Sequence, residues 1–148
     1  MTHSSEMTRA VSKLMDDRKA HCAQAVFATF GPFLGSKEVG AETCMKIASA
    51  FSGGINGTGN ICGALTGALM AIGLEFGNGT PLDTKVAEIS TRLLEEFTSI
   101  NGSILCRELI PYDVVTKEGM MKAIEKGVFK NCTKYAEDVS RLLSTYLA

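Results

Sequence analysis

Residues 51–74 read F-S-G-G-I-N-G-T-G-N-I-C-G-A-L-T-G-A-L-M-A-I-G-L, and the fold is decided by how this stretch is read. Residues 53–60 hold four glycines, which suits a loop and neither a helix interior nor a strand. From Cys62 onward the residues are small and apolar without a break. Gly63, Gly67 and Ala71 recur four apart, as do Ala64, Ala68 and Ile72, which is helical spacing. Small residues at that spacing let another backbone approach closely. A helix that is apolar all round belongs in the middle of a bundle. Residues 61–74 fall short of the roughly 20 apolar residues of a membrane span, and Asn60 and Glu75 close the run. The expectation is a buried core helix capped by Asn60, with Cys62 in its first turn.

Helical patterns extend outward in both directions. Met7, Val11, Leu14 and Met15 make one stripe, from Ser5 to about Arg18, and Cys22, Val26 and Phe30 share a face of a second. Ser36 is a suitable cap for a third, with Val39, Cys44, Ile47, Ala48 and Phe51 as its apolar side. Beyond the core helix, Asp83 or Thr84 caps a segment burying Val86, Ile89, Leu93, Leu94 and Phe97. Ser103 would cap a short helix holding Cys106. Lys117 to Val128 reads as a helix with Met120, Met121 and Ile124 inside, and Asn131-Cys132-Thr133 opens a last helix packed through Tyr135, Val139, Leu142, Leu143 and Tyr146. No stretch alternates with a period of two. The sequence therefore predicts an all-α, irregular multi-helix bundle, a single domain over residues 1–148, around the small-residue helix.

Composition narrows the function. The chain is 45% hydrophobic with a formal charge of -1, so neither disorder nor a nucleic-acid-binding surface is expected. No apolar run follows a basic start, and no membrane insertion is expected, so the expected compartment is the cytoplasm. There five cysteines are metal ligands, redox thiols or buried small side chains before they are structural disulfides. Cys62, Cys106 and Cys132 all fall near predicted helix starts. Free amides and the helix dipole favour a thiolate at such a position, lowering its pKa from about 8.5. Arg107, Lys130 and Lys134 stand close by in sequence to add positive charge.

Other chemistries find little support. No C-x-x-C pair occurs, so the zinc-ribbon and ferredoxin signatures are missing, and any metal site must draw its ligands from separate helices. The glycine loop lacks a following Lys-Ser/Thr, and Gly57-Thr-Gly59 meets its next glycine at Gly63, one residue late for G-x-G-x-x-G. Amides aimed at thiolates or cluster sulfides fit that loop better. His21 adjoins Cys22 and reads first as a surface histidine.

Cys22 in H-C-A-Q-A-V, Cys62 in C-G-A-L-T-G, Cys106 in G-S-I-L-C-R-E-L and Cys132 together resemble the C_GCAxxG_C_C family of redox-active proteins. The label spells G-C-A where this chain reads Cys62-Gly63-Ala64. The resemblance runs from about Cys22 onward and leaves Cys44 outside the pattern, as a core residue. It implies that Cys22, Cys62, Cys106 and Cys132 converge as redox thiols or as ligands. By analogy with a related domain in split-Soret-type cytochromes, it implies a [2Fe-2S] cluster and electron transfer with a redox partner protein. The alternatives are a metal-free thiol-disulfide protein, with Cys62 as the attacking thiolate, and a non-catalytic module binding zinc or another helical protein. The small-residue helix serves the core or, failing that, a homodimer.

Overall fold

The computed structural model describes residues 3–113 and 115–148. Among these the regular structure is helical: α1 (His3–Asp16), α2 (Cys22–Phe30), α3 (Ala41–Ile47), α4 (Gly63–Phe76), α5 (Thr84–Asn101), α6 (Cys106–Leu109), α7 (Lys117–Glu125) and α8 (Phe129–Leu147). The all-α expectation holds, and α4 is the central helix. Its residues from Gly63 to Ala68, with Ala71 and Ile72, are buried, and α2, α5 and α8 all pack on it. Fully burying Leu65 or Ile72 contributes about 1.5–3 kcal/mol each.

The glycine stripe of α4 faces α2. A methyl group at Gly67 would come within 2.6 Å of the Ala23 carbonyl oxygen, so the two backbones touch where the side chain is absent. The stripe is thus filled from within the fold. On the far side α1 packs on α8, and Val11, Val139 and Leu143 join the same apolar cluster.

Several boundaries differ from the sequence reading. Ser36 does not cap α3. Lys37 is left-handed (φ 60) and interrupts the segment, so the helix starts after Gly40 and ends at Ile47, which is exposed. The apolar face expected of α7 is not buried: Gly119 and Ala123 are buried, while Met120, Met121 and Ile124 are exposed. The cause is local. The Gly119 Cα lies against the Asp113 carbonyl, where no side chain fits, and no other helix packs extensively on α7 to cover its methionines. Helix α8 opens at Phe129, placing Cys132 a full turn in.

Candidate functional site

The loop ahead of α4 is a left-handed turn. Gly53, Gly54, Ile55, Asn56 and Gly57 all have positive φ, between 48° and 73°. Such a run is costly for side-chain-bearing residues, and for β-branched Ile55 it is an outlier. The turn is held by bonds from Asn56 N–H to Ala50 O, Gly57 N–H to Ser52 O, and Asn60 N–H to Gly54 O, at 2.7–2.9 Å. Gly54 is the position with no freedom: a Cβ there would sit 2.5 Å from the Asn60 backbone and 2.8 Å from Cys106 Cβ. The glycines therefore shape a turn that presses on a cysteine.

That turn pairs two of the cysteine segments. Ile61 and Leu105 form an isolated antiparallel bridge, with Cys62 N–H donating to Ile104 O (2.8 Å) and Cys106 N–H to Asn60 O (2.7 Å). Cys62 is itself the N-cap of α4, not Asn60, and Cys106 is the first residue of α6. Cys22 opens α2 just after its cap, His21, whose Nδ1 accepts from Gln24 N–H. The His21 Nε2 lies 3.3 Å from Ser49 O.

Cys22, Cys62, Cys106 and Cys132 all line one cavity of about 450 Å³. A methyl on Gly63, the residue after Cys62, would stand 2.5 Å from Cys22 Sγ, so the Cys22 and Cys62 segments meet here. Cys44 stands apart, wholly buried against Gly31, with its thiol pushed up by burial. His21, Met15 and Tyr135 complete the walls. Tyr135 is anchored by donating from its hydroxyl to Leu109 O and by an edge-on contact with Phe97. The sequence reads His21 as a surface histidine, with tuning of the adjacent Cys22 as the lesser reading, and Tyr135 as packing; the structure places both at the chamber.

The electrostatics reverse the expected order of the thiols. The S–H of Cys62 donates to Cys22 and, helped by His21 and the Ala23 amide, lowers the Cys22 pKa to about 5 despite burial. Cys62 is raised instead, first by holding that proton for Cys22 and then by burial, although the Ala64 amide points at it. Burial also raises Cys106, and it pushes Cys132 up to about 12. At Cys62 the Ala64 amide does not offset the Cys22 thiol and burial. The expected positive charges do not act either: Lys134 is held by Asp138 (2.7 Å) and Asn101 (2.8 Å), and Arg107 reaches Gly59 O.

Among the described residues no three or more His, Cys, Asp or Glu side chains are grouped so that they could hold a metal ion. A single zinc needs four ligands about one point, with sulfur at ~2.3 Å, and that grouping is missing. A [2Fe-2S] cluster takes four thiolates, two on each iron, and so asks for pairs around a wider centre. The four thiols line one chamber, the donor type such a cluster takes.

Fold and chamber together define an all-helical bundle that gathers four thiols from four segments, three of them at helix starts. The chain belongs to the C_GCAxxG_C_C family: the family model described as "Putative redox-active protein (C_GCAxxG_C_C)" matches residues 20–146, from the approach to α2 through α8. No curated protein and no solved structure matches the chain. Among the described residues no helix is long and apolar enough to cross a membrane.

Proposed function

We propose that Cys22, Cys62, Cys106 and Cys132 ligate a [2Fe-2S] cluster and that the protein carries single electrons to or from a redox partner. The observation that carries this reading is the chamber itself, lined by the four motif cysteines and not by Cys44. When bound, such a cluster supplies one-electron chemistry at a potential set by charge, hydrogen bonds to sulfur and exposure. The protein's own part is to keep ligand sulfurs dry, to direct the Ala23 and Ala64 amides at Cys22 and Cys62, and to hold Cys22 as a ready thiolate.

Anaerobic purification with iron, sulfide and zinc analysis and a visible spectrum tests it. Iron and sulfide in equal amounts are expected, together with charge-transfer absorption. Serine at any of the four positions should abolish both, while Cys44→Ala should retain them. Colourless, metal-free protein from an anaerobic preparation would overturn the reading.

A second reading is favoured by one observation, the close approach of the Cys62 segment to Cys22 at Gly63. In it Cys22, the better thiolate, attacks a disulfide of a partner, and Cys62 displaces the mixed disulfide. The partner's disulfide is reduced to two thiols as a Cys22–Cys62 disulfide forms. Cys22, not Cys62, is then the attacking residue. A colourless protein whose Cys22 and Cys62 alone change alkylation with reductant would support it.

A further inference from the structure

Helix α7 and the start of α8 form one side of the chamber's rim, and this rim is apolar and exposed. Met120 and Ile124, one turn apart on α7, and Phe129 at the head of α8 all line the chamber. Yet they are 37%, 62% and 37% exposed, and neighbouring Met121 is 60% exposed. Side chains of this kind are normally covered, and no helix packs extensively on α7 to cover them. Around them the charge is biased. Residues 117–130 hold four lysines and two glutamates in a chain whose formal charge is -1. Lys122 is paired with Glu118, whereas Lys117, Lys126, Lys130 and, on the other side of the chamber, Arg18 take part in no ion pair among the described residues. Glu125 is likewise without an ion pair.

We infer that this face is the docking surface for an acidic protein with an apolar centre. An uncharged middle with a charged rim is the anatomy of a protein interface, and methionines adapt their shape to what they meet. The basic rim selects an acidic surface and speeds its approach. A second copy of this chain fits less well, because a two-fold contact would set the same lysines against each other. That the partner serves the thiols beneath rests on the four-thiol reading. The docking itself does not.

The test is titration of the isotope-labelled full chain with two probes of opposite charge, followed by amide NMR. Flavodoxin, an acidic electron carrier, is the first probe, and cytochrome c, a basic one, is the control. Shifts confined to residues 117–130 and the chamber rim are expected with flavodoxin and none with cytochrome c, weakening as salt rises from about 50 to about 500 mM. Ile124→Asp, and separately Lys126→Glu with Lys130→Glu, should each weaken binding about tenfold or more at unchanged melting temperature. No shifts with flavodoxin, equal shifts with both probes, or a dimer in sedimentation that Ile124→Asp dissolves would each overturn the inference. Binding that persists in a protein without cluster or active dithiol would leave the docking surface standing and refute the redox reading alone.

Discussion

The two walls of the thiol chamber are built to different standards. On the inner wall, Cys22 and Cys62 sit where α2 and α4 meet backbone to backbone, with Gly63 and Gly67 leaving no room for a methyl group. On the outer wall, Met120 and Ile124 overhang the same space from α7, a helix that shares little surface with the rest of the bundle. A pair of sulfurs that must stay close together needs the first kind of wall. A site that must be reached from outside needs the second. Local opening is drawn from the least covered part of a structure, and here that part lies next to the thiols.

The contrast breaks most sharply at Gly67. Gly67→Ala forces a methyl against the Ala23 carbonyl, a backbone atom that cannot swing aside, and should cost about 1–3 kcal/mol as an overpacked contact. Denaturant unfolding of the metal-free, reduced protein measures it. On the outer wall, Met121→Ala should change stability by no more than about 0.5 kcal/mol. Equal losses at the two positions would mean that the walls do not differ.

How far the sequence reached follows the same division. Small residues four apart announced a close helix contact, and Gly67 on Ala23 is that contact. The four motif cysteines were legible as a set from the family resemblance, with Cys22, Cys62 and Cys106 at helix starts and Cys132 a turn inside α8. The apolar face of α7 was read as buried, but periodicity says only that one face is apolar and not that anything lies opposite it. The loop of residues 53–60 was legible as a loop but not as a left-handed turn, since Ile55 and Asn56 adopt a conformation their side chains disfavour. The order of thiol acidities was out of reach for a further reason. It depends on which sulfur donates to which across forty residues of chain, and the helix-start argument cannot see that partner.

Proton linkage sharpens the comparison next. Unfolded thiols titrate near about 8.5. Cys132, pushed up to about 12 by burial, keeps its proton in the folded protein where the unfolded chain has lost it. Its contribution is fully present below about pH 8.5 and is lost as pH rises towards 12. Raised Cys62 and Cys106 act in the same direction. Cys22 acts oppositely: with its folded pKa at about 5, its contribution is present above about pH 8.5 and is lost as pH falls through 5. Reduced, metal-free protein should therefore lose melting temperature from about pH 8.5 to 10. Cys132→Ser should flatten that decline, and a decline unchanged by the substitution would refute its assignment.

The two walls should also differ in motion. Amide hydrogen exchange should grade the two walls without any substitution, because it reports the free energy of local opening. The amides of α4 from Thr66 to Ile72 lie in a buried helix packed on three sides and should exchange only by global unfolding. Those of α7 should exchange by local opening, with protection lower by about a hundredfold or more, since few contacts must break to free it. Loading the chamber gives the decisive contrast. If Cys132 is a ligand, a bound cluster ties the start of α8 to α2 and α4, and protection should rise from Phe129 to Tyr135. Helix α7 carries no ligand, so its own exchange should stay fast. Protection gained equally along α7 would make that helix a lid that closes on the site, and the docking face would then be buried when the chamber is full.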